Sequence, residues 1–420
     1  YSSAASDVYK RQIAVTVDEA LHLWNEALRE QHHSIESIAV GDAKGCVLAE
    51  DVLAPTDVPA FHKSAMDGYA LAYDPNCDTY IVDGIIGAGV VWDKPVTTGH
   101  AVRIMTGAPV PSTCDTVIMQ EQVKGTGEVG ATITLQGTQQ KGSHIIPRGE
   151  ECSAGTVVIP KGTEITSTVQ TILIGLGCID VSVYAMPRIL VLTSGHEVIE
   201  PGEPLTAGKI YNSNRMMICS LLADLGFRRV THYHVSDAPD RLYAEIERVL
   251  ELSEQADIII SSGGVSVGMF DTMPLIYEKL GAKTLYGRIQ MRPGAASYGA
   301  VTPKGQLIFG LSGNPGAAFN GWHLLVVPTL RRYKGIKNWS TPVLNCVMDC
   351  DLSKRNAFDR YVQGKVIFGD GQPRFVANRH FNSSSMLGLY TVNALACIPQ
   401  GVHEVHEGDI FKVYLLGLLP

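Results

Sequence analysis

Apolar residues at helical spacing, Val17, Ala20, Leu21, Trp24, Ala27 and Leu28, follow the capping box Thr16-Val17-Asp18-Glu19 and predict a helix over 16–32. From 39 to 146 the pattern changes to short alternating runs broken by Gly and Pro, at 81–82, 101–105, 116–119 and 131–135, which predict a β-rich region. A mostly apolar helix is predicted over 166–176. From 187 to 334, strand patterns at 189–193, 229–235, 257–261 and 307–311 alternate with helix patterns at 214–225, 239–253, 272–280 and 316–333. That alternation predicts a mainly parallel sheet with helices on both faces. Beyond 335 the texture returns to β, at 341–348, 359–367 and 411–415, and predicts a small C-terminal barrel. The fold class is multidomain α/β plus β.

The chain is organised around residues 258–274, where an apolar β-branched run ends in small residues and leads to an acid and a helix start. The loop 261–268 offers backbone N–H groups with little side-chain bulk, and hydroxyls at Ser261, Ser262 and Ser266, so it reads as an anion-binding turn. In parallel sheets ligands bind at the carboxyl ends of the strands. Glu197, Asp237 and Asp271 follow the first three strands, and the fourth ends in Ser312-Gly313-Asn314-Pro315. Carboxylates beside a phosphate repel it unless a hard cation lies between them, so Glu197, Asp237 and Asp271 are candidate Mg²⁺ ligands. Helix capping or pairing with Arg is the alternative use of the same acids.

Other motifs compete less well. Gly264 to Gly268 fits GxSxG, a nucleophile elbow with Ser266 and with Asp271, His323 or His380 as partners, but Met269 to Asp271 separate it from the helix start. Gly125 to Gly130 matches GxGxxG between strand-like flanks and is expected to be a hairpin loop. The stretch from Gly202 to Gly208-Lys209 has one residue too many for a P-loop. His32 and His33 have no partner at metal-ligand spacing. Asp67 reads as a turn former or a functional acid, and Thr106, ending a strand before Gly107, as a hydroxyl donor or a plain turn.

Composition narrows the partners. The 420 residues are 45% hydrophobic and 18% charged with a formal net charge of -8, so nothing marks a nucleic-acid or anionic-membrane surface. Nine cysteines without CxxC pairs predict reduced core thiols in a cytoplasmic protein. No apolar run approaches the roughly 18 residues of a membrane span. Residues 1–12 are polar and patternless and are expected to be non-native or disordered.

Ser64-Ala65-Met66-Asp67-Gly68-Tyr69-Ala70, Pro201 to Leu205, Gly208-Lys209-Ile210-Tyr211-Asn212-Ser213-Asn214, Ser261 to Gly268 and Gly313-Asn314-Pro315 together resemble the molybdopterin molybdenumtransferase family of MoeA and the gephyrin E-domain. The similarity runs in order from 13 to 419. It implies an elongated discontinuous domain (13–45 and 147–186), a β-rich domain (46–146), a three-layer αβα molybdopterin-binding domain (187–335) and a C-terminal β-barrel (338–420). It further implies a cytoplasmic homodimer that takes adenylylated molybdopterin and molybdate, hydrolyses the pyrophosphate bond with Mg²⁺ and releases AMP. In the family the cleft lies between the second domain of one subunit and the third and fourth of the other. Molybdopterin adenylyltransferase and recipient molybdoenzymes are the implied partners, with no nucleic acid and no membrane. Asp67, Thr106, Glu197, Asp237 and Asp271 are then the catalytic set, the last three also holding the metal. Ser194, Gly195, Ser262, Gly263, Gly264, Ser266, Arg292, Asn314 and Pro315 are the implied substrate contacts.

The chain departs from the family pattern at several places. His196 stands where Asp is usual, Glu151 where Asp is common, and Arg292 where Lys is usual. Ala295-Ala296 replaces a pair such as Lys-Pro, and Ser312 replaces the Pro before Gly-Asn-Pro. The departures leave room for a paralogue that binds molybdopterin or a protein partner without efficient metal insertion. Retention of Asp67, Glu197, Asp237 and Asp271 favours the enzyme.

Overall fold

A computed structural model describes residues 14–29, 34–264, 272–353, 357–369, 371–378 and 382–417. The chain divides into two compact units: Glu50–Lys161 with Thr171–Ile179, and the described parts of Tyr1–Ala49, Gly162–Gln170 and Asp180–Pro420.

The smaller unit is built on a six-stranded sheet in the order Thr116–Met119, Gly68–Leu71, His100–Ile104, Thr79–Ile86, Thr132–Leu135, Val123–Lys124. Thr79–Ile86 alternates exposed and buried residues along its whole length, putting Tyr80, Val82 and Ile86 inside. The strand Gly68–Leu71 runs antiparallel to both neighbours, with Gly68 opposite Ile104 and Met119. A Cβ at Gly68 would lie 1.9 Å from the Ile118 carbonyl oxygen, so only glycine fits at that position. The GxGxxG segment links two antiparallel strands, Val123–Lys124 and Thr132–Leu135, as a hairpin loop.

The larger unit holds a six-stranded sheet in the order Val230–Val235, Ile189–Ser194, Ile258–Ser262, Leu307–Leu311, Tyr298–Val301, Lys283–Tyr286. The first four strands are parallel, as predicted. Tyr298–Val301 and Lys283–Tyr286 extend the sheet antiparallel and were not predicted. All residues of the three strands Ile189–Ser194, Ile258–Ser262 and Leu307–Leu311 are buried, because both faces are covered. Val191, Ile260 and Phe309 pack with Trp24, Ile218 and Trp322 on one face; Leu192, Ile259 and Ile308 pack with Val249, Met273 and Tyr277 on the other. The capping box closes as predicted: Glu19 N–H donates to Thr16 Oγ1 at 3.2 Å, and Thr16 N–H donates to Glu19 Oε2 at 2.7 Å. The helix it starts runs Val17–Ala27, shorter than predicted, and residues 30–33, including His32 and His33, lie outside the described residues.

The predicted helix at 316–333 is interrupted. A π-helical turn, Trp322–Val326, separates Pro315–Gly321 from Val327–Tyr333. Pro328 gives the reason: it has no N–H to donate one turn back and its ring crowds that carbonyl, and a wider turn relieves both. After it, Asp359–Ile367, Arg374–Ala377, Val343–Met348, Ile410–Leu415 and Ala394–Ile398 close into a five-stranded barrel through pairing of the last with the first. Its core is Val362, Phe375, Ala396 and Val413. None of the nine cysteines is paired; Cys46 and Cys346 are core thiols as expected, whereas the other seven are half-exposed. No helix among the described residues is long and apolar enough to cross a membrane.

Candidate functional site

The four parallel strands end side by side at Ser194, Val235, Ser262 and Leu311. The turns that follow have little room. Gly263 and Gly264 have φ of +89° and +60°, and a Cβ on either would come 2.7 Å from an oxygen of Ser194. Gly313 packs beside the Gly263 backbone, where a Cβ would make ordinary contact at 3.4 Å. These glycines keep the strand ends open onto a cleft of about 840 Å³. Gly263 N–H donates to Leu311 O at 3.2 Å, so that amide is committed to the scaffold. Positive character comes instead from Lys209 on the wall and from the amino ends of helices Ser213–Asp224 and Pro315–Gly321, whose first residues line the cleft.

Two asparagines missed as site residues hold this floor together. Asn214 Nδ2 donates to Ser262 Oγ and to Gly313 O, both at 2.8 Å, and ties two of the turns. Asn212 caps the helix by accepting from Arg215 N–H, while its own Nδ2 donates to Thr193 Oγ1 and Glu200 Oε1, each at 2.9 Å. Burial would raise the Glu200 carboxyl, but hydrogen bonds from Asn212 and Arg215 outweigh it and hold it below its ordinary range. The sequence signal for Asn212 was an Asn directly before a helix.

The acids gather at one end. Donor atoms of His196, Glu197 and Asp237 all lie within 4.8 Å of one another. Gly195 turns the chain into this cluster at φ +135°, a conformation that favours glycine. Among the described residues nothing donates a hydrogen bond to the buried Asp237 Oδ1, and a carboxylate oxygen so placed beside a second carboxylate fits a cation.

Ser194, Gly195, Glu197, Asp237, Ser262, Gly263, Gly264, Asn314 and Pro315 all line the cleft, as do Ala296 and Ser312. Ser266 and Asp271 lie outside the described residues, and so does His380. Arg292 is exposed beside the barrel, opposite Arg360, and does not line the cleft. His323 is buried elsewhere, lowered by burial to about 3, which gives the nucleophile-elbow reading no support from that residue. In the smaller unit, Thr106 N–H and Oγ1 donate to Asp67 Oδ1 at 2.6 and 2.7 Å.

Residues 15–177 match the MoeA N-terminal region (domain I and II), 190–332 a probable molybdopterin binding domain, and 345–416 the MoeA C-terminal region (domain IV). A molybdopterin molybdenumtransferase of Staphylococcus epidermidis is 33% identical over 97% of this chain and 96% of its own. One from Bacillus subtilis is 33% identical over 97% and 95%. The chain belongs to the molybdopterin molybdenumtransferase family. It is accordingly a transferase of molybdenum cofactor biosynthesis. The crystal structure of a molybdopterin biosynthesis MoeA protein from Pyrococcus horikoshii has the same fold, with a TM-score of 0.78 and 25% identity over 97% of this chain and 100% of that one.

Proposed function

We propose that this transferase inserts molybdate into adenylylated molybdopterin, hydrolysing the pyrophosphate bond and releasing AMP. The observation that carries the reading is the meeting of Glu197 and Asp237, one with an orphaned oxygen, at the end of a cleft whose opposite wall is glycine turns and helix amino ends. Glu197 and Asp237 hold Mg²⁺, with Asp271 as the third proposed ligand. Mg²⁺ held there would supply charge neutralisation for the phosphate oxygens and for the departing AMP. Lys209, whose Nζ donates to the His196 carbonyl oxygen, adds a fixed cation to the cleft wall. Ser194 and the small turn at Gly263 and Gly264 let the substrate approach the strand ends closely. Asp67, whose carboxyl the Thr106 hydrogen bonds hold below its ordinary range, is a further proposed catalytic carboxylate.

The enzyme acts as a cytoplasmic homodimer in this reading, and the exposed Ile172, Ile174 and Ile179 support an apolar self-contact. Purified protein should release AMP from adenylylated molybdopterin only with Mg²⁺ and molybdate both present. Intact ligand binding with no release above an Asp237→Asn control would leave the binding-only paralogue. Sedimentation of wild type against Ile179→Asp tests the dimer.

A further inference from the structure

The metal end of the cleft is not made of oxygen alone. His196 Nδ1 lies 3.5 Å from Asp237 Oδ1 and 3.9 Å from Glu197 Oε2. Two donors on one first-row dication, with bonds of about 2.1 Å, are separated by roughly 3 to 4.2 Å, so both distances suit a shared ion. The His196 backbone is anchored, since Lys209 Nζ donates to its carbonyl oxygen and the preceding Gly195 carries the φ of +135° that turns the chain here. Among the described residues, no hydrogen bond holds Asp237 Oδ1 away from the imidazole.

We propose that His196 Nδ1 is itself a metal ligand, and that it shifts this site from Mg²⁺ toward a transition dication such as Mn²⁺. The inference rests on the metal reading above. Its chemistry is ligand preference: Mg²⁺ demands oxygen donors, while an imidazole nitrogen suits transition ions. His196 supplies a nitrogen where Asp would supply a third carboxylate, trading charge for softness. The site therefore discriminates by donor type, with two carboxylates retaining affinity for either ion.

The test uses the full-length protein with saturating AMP, titrated calorimetrically with Mn²⁺ and with Mg²⁺, and pulsed EPR of the Mn²⁺-loaded form. Wild type should bind Mn²⁺ about tenfold or more tighter than Mg²⁺ and show a ¹⁴N coupling from the imidazole. His196→Asp, with an unchanged circular dichroism spectrum, should lose that coupling and bring the two affinities together. Stoichiometric Mn²⁺ binding that Asp237→Asn abolishes, with no nitrogen coupling in wild type, would overturn the role of His196 and leave the carboxylate metal site standing. A ¹⁴N coupling that persists in His196→Asp would overturn it equally. Absence of any binding of either ion would remove the metal reading and this inference together.

Discussion

Thr106 gives both of its donors to a single oxygen of Asp67, its N–H at 2.6 Å and its hydroxyl at 2.7 Å. The backbone bond is the larger cause, and the side-chain bond the second, of a carboxyl held below its usual range. Thr106→Val keeps the first and removes the second. The acid limb of the pH–rate profile for AMP release should move to higher pH, and kcat should fall roughly tenfold through lost orientation. Asp67→Asn should cost more, on the order of a hundredfold in kcat, with an unchanged melting temperature because Asp67 is exposed.

Gly68, next to that acid, is required by the sheet itself. Its Cβ would meet the Ile118 carbonyl oxygen at 1.9 Å, a backbone atom that has no rotamer to escape with. Gly68→Ala should destabilise the smaller unit by about 1–3 kcal/mol, read by chemical denaturation. Gly87, with nothing within 4 Å of its built Cβ, is the matched control and should change stability little on conversion to Ala.

Asn214 is buried, and its Nδ2 bridges Ser262 Oγ and Gly313 O. Asn214→Ala strands the buried Ser262 Oγ and frees the Gly313 carbonyl to solvent, and should lower stability by about 1–2 kcal/mol. It should also raise the KM for adenylylated molybdopterin several-fold, because the two turns lose their common tie. Asn214→Asp loses both donated bonds at similar volume and should resemble the alanine variant, which a paired stability and KM measurement checks.

How much of this was legible in the sequence varied with the range of the interaction that decides each feature. The parallel strands were readable because doubly covered strands are continuous apolar runs, Ile258 to Ile260 above all. Tyr298–Val301 was not: its Gly299 and Ala300 look like turn residues, and the reason for the glycine is Tyr286, whose ring carbon Cε1 would lie 2.5 Å from a Cβ there. Arg374–Ala377 and Ala394–Ile398 likewise owe their strand state to barrel closure. In the site, Glu197 and Asp237 could be expected from their place after strands, whereas Asn214 stood in a family-like motif that did not reveal its role, because its two partners lie 48 and 99 residues away. Periodicity alone predicts an unbroken helix at 316–333, and Pro328 inside that pattern is the local signal of the irregular turn at Trp322–Val326.

Acid should loosen the larger unit before ordinary carboxylates titrate. His232 Nε2 and His234 Nδ1 both meet Thr193 Oγ1, at 3.0 and 3.1 Å, while Asn212 donates to the same oxygen. Burial first, and then the Arg215 charge, lowers His232 from 6.5 to about 4, with Glu200 pulling the other way and His234 adding to the lowering. Between those values the unfolded chain takes up a proton that the folded protein refuses, so acid favours unfolding. The stability from neutral His232 is therefore complete above about pH 6.5 and is lost progressively as pH falls toward 4. His323, lowered to about 3 by burial, acts with the same sign over a window reaching further into acid. His232→Gln keeps an amide near Thr193 and removes the proton uptake. Its melting temperature should fall less than that of wild type between pH 7 and pH 5, an interval above the titration of unperturbed Asp and Glu. Parallel melting curves for the two proteins over that interval would show that His232 titrates alike in the folded and unfolded chain and is not lowered by burial.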